Sequence, residues 1–166
     1  MVLSTHAVIG AAVAQLFPTH PLVGFTLGFA SHFVADAIPH WHYHVGSVVR
    51  EEGSKKGVDM VFRNKHFPYD LLKIGTDGLL GLGLAVFFFG ASSPVLFSAT
   101  VFGAVGGMLP DALQFVYWKW KHEPLASLQR FHHWVHAKSD LNARAFVGPA
   151  FQAALICLCV ILVRSV

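Results

Sequence analysis

Five apolar runs of about helix length occupy most of the chain, and they limit its fold more than any other feature does. The runs cover residues 3–17, 22–39, 69–89, 95–118 and 142–163. A helix that crosses a bilayer needs about 20 apolar residues, with a lower limit of about 17. Charged residues make up only 13% of the chain, whereas an ordinary soluble domain has about 25%. The sequence therefore predicts an all-α integral membrane protein, a compact bundle of about five transmembrane helices forming one domain over residues 1–166.

Two polar segments, residues 41–67 and 119–141, interrupt these runs. Together with the flanking Lys73 and Arg144 they contain eleven of the twelve Lys and Arg residues. Two predicted helices separate the segments, so both segments are expected on one side of the membrane. The positive-inside rule makes that side cytoplasmic, and we expect a bacterial-type inner membrane. A formal net charge of +3 is too small to indicate a nucleic-acid partner, whereas membrane lipid is the expected one.

Histidine and aspartate residues are concentrated at the ends of the apolar runs that face the polar segments. In the second run His32, Asp36 and His40 are spaced four residues apart, which places them along one stripe of a helix. The same level of the bilayer is expected to contain His6, Asp77 and Asp111 from other runs and His132, His133 and His136 from the second polar segment. Four helices and one polar segment thus direct metal-ligand side chains to one region.

A carboxylate inside a membrane is costly unless it has a compensating partner. The apolar runs offer almost no Lys or Arg near these aspartates, so a divalent cation is the partner we expect. Mixed His and carboxylate ligands favour zinc, with manganese or iron as alternatives, over calcium or magnesium. One or two ions are predicted, with one Asp as the bridge in the second case. The predicted ligands are His6, His32, Asp36, His40, Asp77, Asp111, His132, His133 and His136, of which Asp77 and His133 are also the candidate catalytic proton carriers.

Short motifs in the chain resemble those of the YdjM-like predicted inner-membrane metal-dependent hydrolases. The motifs are Thr5-His6 near the start, Gly106-Gly107-Met108-Leu109-Pro110-Asp111 at the end of one run, and the late histidine cluster. This chain has Leu113 where the family tends to have a second Asp, and its late cluster differs from the family's. The resemblance implies metal ligation by His6 and Asp111, and it leaves open which of His132, His133 and His136 corresponds to the family's late histidine.

The leading functional hypothesis is a membrane-embedded metal-dependent hydrolase. Its expected substrate is a phosphoester such as a phospholipid or a lipid-linked phosphate at the cytoplasmic leaflet, where a bound metal would activate water. Two other classes of protein also place His and Asp inside a membrane. One is a non-catalytic metal- or cofactor-binding accessory subunit. The other is a cation or proton transporter, which the apolar far halves of the later runs disfavour.

Overall fold

The computed structural model describes residues 1–50, 58–144 and 146–165. The described residues form six α-helices and one short antiparallel β-hairpin. The helices are α1 (Leu3–Ala14), α2 (Pro21–Asp36), α3 (Phe67–Ala85), α4 (Pro94–Lys119), α5 (Leu125–Val135) and α6 (Val147–Arg164). The strands are β1 (Val48–Arg50) and β2 (Val58–Met60), with Val48 opposite Met60.

Three helical segments are long and apolar enough to cross a membrane. Among the described residues these are Phe67–Gly90, Pro94–Lys119 and Val147–Arg164. The first combines α3 with a π-helical segment, Val86–Gly90. The expectation of a mostly helical chain with helices that could cross a membrane is therefore confirmed.

The first two apolar runs form shorter helices than expected. Helix α1 has 12 residues and α2 has 16, which correspond to about 18 and 24 Å at 1.5 Å per residue. The hydrocarbon core of a bilayer is about 30 Å thick, so neither helix spans it alone. The expected five-helix count is not confirmed among the described residues, because the additional helix α5 lies within the second polar segment.

The β-hairpin was not predicted, and it lies in the first polar segment. The β-branched residues Val48, Val49 and Val58 favour extended backbone. Asp59 in β2 forms an ion pair of 2.7 Å with Lys119 at the end of α4. The two polar segments therefore meet at one end of the helices.

Helix α1 is the centre of the bundle, and small residues allow its neighbours to approach closely. Nine of its twelve residues are buried. A Cβ atom on Gly10 would overlap the carbonyl oxygen of Gly103 in α4, and one on Gly28 in α2 would overlap the same oxygen. Backbone contact of this kind is the packing expected where small residues lie at helix interfaces. It brings the ends of α1, α2 and α4 together at the site described next.

Candidate metal centre

The carboxylate of Asp36 is the centre of a buried cluster of histidines. Asp36 is the last residue of α2 and is only 1% exposed. On the side of Oδ1 lie Nε2 of His6 at 3.1 Å and Nε2 of His40 at 3.6 Å. On the side of Oδ2 lie Nε2 of His132 at 3.0 Å, His32 at 3.2 Å and His136 at 3.9 Å. One carboxylate thus faces five imidazole nitrogens.

This arrangement is built from two pairs of residues, and the members of each pair are one helical turn apart. Backbone hydrogen bonds between distant segments hold the two pairs together. His32 and Asp36 are four residues apart on α2, while His132 and His136 are four apart at the end of α5. The backbone N–H of Ala137 donates to the carbonyl oxygen of Asp36 at 2.8 Å, and that of Leu141 donates to His40 at 2.9 Å. These bonds fix the segment after α5 against the end of α2.

Backbone carbonyl groups orient three of the histidines. Nδ1 of His32 lies 2.8 Å from the oxygen of Gly107, Nδ1 of His40 lies 2.7 Å from that of Ile38, and Nδ1 of His136 lies 3.1 Å from that of Ala137. A carbonyl oxygen can only accept, so each Nδ1 carries the proton. In a neutral imidazole Nε2 then presents a lone pair, and this is the arrangement in which metal-bound histidines are usually held.

A first group of four donors contains His32, Asp36, Asp111 and His132. Nε2 of His32 and Nε2 of His132 are 3.2 Å apart, and both are within 3.2 Å of Oδ2 of Asp36. Oδ1 of Asp111 is 3.7 Å from Nε2 of His32. Two donors that are each about 2.1 Å from one tetrahedral ion are about 3.4 Å apart. The spacing of this group therefore fits a single bound ion.

A second group contains Asp36, His40 and His136. Nε2 of His40 is buried and has no hydrogen-bond partner among the described residues. Burial lowers the pKa of His40 to about 4, so this imidazole is neutral at pH 7 and presents its lone pair toward Asp36. Because Asp36 belongs to both groups, the cluster can hold one or two ions, with Asp36 as the bridging carboxylate in the second case.

His6 and the amino group of Met1 lie on the Oδ1 side of Asp36. The ring of His6 stacks on that of His32 with centroids 3.9 Å apart, and neither of its nitrogens makes a hydrogen bond within the described chain. The Met1 nitrogen is 2.7 Å from Oδ1 of Asp36. His6 is thus adjacent to both groups of donors without belonging to either. The Met1 amino group is a source of positive charge for Asp36.

Asp77 belongs to neither group of donors in the part of the chain that the structure describes. Its Oδ2 accepts from the backbone N–H of Leu3 at 2.7 Å and its Oδ1 from that of Ser4 at 3.4 Å. The hydroxyl of Tyr43 also donates to Oδ2, at 3.3 Å. An acidic group at a helix N-terminus stabilises the helix through its unpaired N–H groups and its dipole. The contacts of Asp77 are therefore those of a residue that holds the start of α1, although it was expected to bind metal or carry protons.

His133 is exposed and points to a different environment from its neighbour His132, which is 4% exposed. His133 lines a cavity of about 630 Å³ that also borders Asp36, Asp111, His132 and His136. The side chains of Asp111 and His136 are 27% and 36% exposed. These two residues form the accessible edge of an otherwise buried cluster, and the cavity gives a small molecule access to it.

One buried residue near the site was not predicted from the sequence. Oε1 of Gln152 in α6 accepts from the hydroxyl of Thr5 at 3.0 Å and from the backbone N–H of Val2 at 3.2 Å, and its Nε2 donates to the Trp41 carbonyl at 2.7 Å. Gln152 therefore fixes the start of α1 and the segment after α2. An amide inside an apolar helix is the signal that could have identified it.

Comparisons of the chain with family models, with curated proteins and with solved structures find no match.

Proposed function

We propose that this protein is a membrane-embedded metal-dependent hydrolase of phosphoesters, such as a phospholipid or a lipid-linked phosphate. The observation that carries the proposal is the orientation of His32, His40 and His136. Their Nδ1–H groups are engaged by carbonyl oxygens, and their Nε2 atoms all face the buried carboxylate of Asp36. Lone pairs and a carboxylate in mutual contact repel each other unless a cation or a shared proton lies among them. The Met1 amino group meets Oδ1 of Asp36, whereas the Nε2 atoms of His32 and His136 face Oδ2.

Zinc is the ion that the donor set favours, with manganese or iron as alternatives. Imidazole nitrogen and carboxylate oxygen are both common zinc ligands, and the ligands in catalytic zinc sites leave one position open. The accessible edge at Asp111 and His136 is where such a position would face the cavity. When bound there, a divalent metal lowers the pKa of a coordinated water and polarises a phosphoryl oxygen.

The proposed reaction adds one water molecule across a P–O ester bond. The water oxygen bonds to phosphorus, the P–O bond to the alcohol breaks, and the alcohol oxygen receives the proton that the water loses. His133 lines the cavity and is proposed to carry that proton. Asp36 and its histidines would hold the metal, which would supply the positive charge that binds and polarises the substrate phosphate.

The proposal also includes the location of the protein. Three helices can cross a bilayer, and Asp59 and Lys119 join the two polar segments at the end where the cluster lies. The excess of Lys and Arg in those segments supports a cytoplasmic site in a bacterial-type inner membrane. Membership in the YdjM-like group is part of the same proposal. His6 and Asp111, which carry the resemblance, lie 3.1 Å from Asp36 and 3.7 Å from His32.

A non-catalytic metal-binding accessory subunit is the second candidate. The deep burial of Asp36 and its contact with the Met1 amino group favour it, because both features stabilise the cluster without requiring turnover. The two candidates differ in whether the site has an exchangeable position that admits a substrate.

The test is a hydrolysis assay on the purified full-length chain in detergent, with a phospholipid and with a generic aryl phosphodiester. We expect release of product that stops with a chelator and returns with added zinc or manganese. Asp111→Asn and His133→Ala should abolish or slow release, whereas the control His122→Ala should not, because His122 is exposed outside the cluster. Bound metal without any hydrolysis would support the accessory subunit instead.

A further inference from the structure

The cavity beside the cluster has one polar wall and one apolar wall. Its volume of about 630 Å³ lies in the range of about 300 to 1,000 Å³ that small-molecule sites occupy. The polar wall is the His and Asp cluster. The rest of the lining consists of aromatic and aliphatic side chains from α3, from α4 and from the region of the hairpin.

The apolar wall consists mainly of one stripe on each of two helices that can cross a membrane. Phe67, Leu71 and Ile74 are spaced four and three residues apart on α3. Met108, Ala112 and Phe115 have the same spacing on α4. Side chains at this spacing share one helix face. Seven residues correspond to about 10 Å along a helix, so the stripes line an elongated groove.

Aromatic rings lie at the end of the groove nearest the hairpin, and the flank of the groove is open. The ring of Phe62 contacts those of Phe67 and Phe115, with centroids 5.1 and 6.0 Å away. Nζ of Lys119 lies 4.1 Å above the ring of Phe62, and its charge is paired with Asp59. Leu71 lines the groove and yet is 59% exposed. Where α3 crosses a bilayer, the surroundings of such a residue are lipid chains.

We infer that this groove binds the hydrocarbon chain of the substrate while the phosphate lies at the Asp36 cluster. The ligand is then an amphiphile that carries a phosphate at one end of an extended chain, and it enters from the bilayer between α3 and α4. A partner helix would suit an apolar surface of this kind, but it would not explain a buried cluster of imidazoles and carboxylates at the groove wall. Ile74, Met108 and Phe115 are the residues that determine the preference for a chain. This inference rests on the proposed function for the identity of the phosphate group.

The first experiment measures binding without turnover. An alkyl phosphate with a diazirine in its chain is photo-crosslinked to the full-length, metal-loaded protein in maltoside micelles, and the labelled residues are mapped by mass spectrometry. We expect saturable labelling of α3 and α4 residues along the groove. Alkyl phosphates should compete with an affinity that rises about fourfold for each methylene that enters the groove, whereas glycerol phosphate and inorganic phosphate should compete only at much higher concentrations.

Matched variants test the position of the chain. Ile74→Trp and Met108→Trp fill the groove and should remove the saturable labelling. Leu72→Trp places the same bulk on a residue of α3 that is 65% exposed and does not line the cavity, so labelling should persist. Metal content measured on each variant shows that the cluster is still folded. Because the competition series uses the unmodified chain, it decides the question even if both groove variants fail to fold.

Several outcomes would overturn the inference. These are labelling that no alkyl phosphate competes, competition that does not depend on chain length, or labelling that maps to the outward faces of the helices. Dimer crosslinks through the groove would instead identify a second copy of this chain as its occupant. The proposed function can be refuted independently of this inference. Chain-dependent binding without hydrolysis would refute hydrolysis alone, whereas hydrolysis that is equally fast for chainless phosphodiesters would refute the chain site alone.

Discussion

Oδ2 of Asp36 lies 3.0 Å from Nε2 of His132, which connects the end of α2 with a short helix 96 residues later in the chain. Nε2 of His32 lies near both atoms, 3.2 Å from each. Three donor atoms at such mutual distances cannot all be satisfied by hydrogen bonds among themselves when the His32 proton is on Nδ1. This triangle is the basis of the metal-centre interpretation.

If two ions are bound, a substitution in the first group should remove one ion, and a substitution in the second group should remove the other. Asp111 belongs only to the first group and His136 only to the second. We therefore expect Asp111→Ala and His136→Ala each to lower the metal content by one ion per chain. Elemental analysis of the two purified variants measures this. Equal loss of all metal in both would show that a single ion is shared by the two groups.

The Asp77→Asn variant tests whether Asp77 positions the start of α1 or binds the metal. If Asp77 mainly holds the start of α1, the variant should keep its full metal stoichiometry while the affinity falls by about 10- to 100-fold, as for residues that orient ligands. The affinity is measured by titration with a competing chelator. Complete loss of metal in a folded Asp77→Asn protein would instead restore the ligand role expected from the sequence.

Close packing of α1 against α4 should be sensitive to a single methyl group. Gly10→Ala places a Cβ atom on the Gly103 carbonyl and is expected to cost about 1 to 3 kcal/mol of unfolding free energy, the range for overpacked sites. Gly83→Ala is the matched control, because a Cβ atom there meets nothing within 4 Å. Its effect should be about 1 kcal/mol or less, and in the stabilising direction. Denaturation in detergent compares the two variants, and equal stability would contradict the packing described.

The hydrogen bonds that Glu123 makes at the start of α5 predict that its carboxyl titrates at an unusually low pH. Glu123 accepts from the backbone N–H of Ser127 at 2.9 Å and from Arg130 at 2.7 Å. Hydrogen bonds from the Ser127 side chain, from Arg130 and from the Ser127 backbone lower the pKa of the Glu123 carboxyl from 4.5 to about 2. A lowered folded pKa means that the stabilisation is complete above pH 4.5 and is lost as the pH falls toward 2. NMR titration of the carboxyl carbon should show a rise in this pKa in Arg130→Gln. An unshifted value near 4.5 in the unmodified chain would refute the contact.

Much of the cluster could be predicted from the sequence, because a polar side chain in an apolar membrane helix is energetically costly and usually has a structural or functional role. This argument identified His32, Asp36 and Asp111, and the structure places them together. The same argument could not distinguish Asp77 from these three residues. A carboxylate that accepts from the N–H groups at the start of α1 occurs in the same sequence environment as one that faces histidines. Only the tertiary structure distinguishes the two.

The secondary structure was predictable where hydrophobicity alone determines it. The later apolar runs correspond to α3, α4 and α6, whereas α1 and α2 end earlier than the runs that contain them. Helix α5 was missed because it is short and lies in a polar segment, so its contacts with the end of α2 stabilise it more than its own composition does. The groove was also not foreseen, because it requires two stripes from separate helices to face one cavity.

The metal content of the purified protein tests the central claim most directly. Inductively coupled plasma mass spectrometry should find one or two divalent ions per chain in the unmodified protein and in the control His122→Ala. The same measurement on folded Asp36→Asn should find none, because Asp36 belongs to both groups of donors. A metal content of Asp36→Asn equal to that of the unmodified protein would contradict the account, as would an unmodified protein that folds and binds no divalent metal at all.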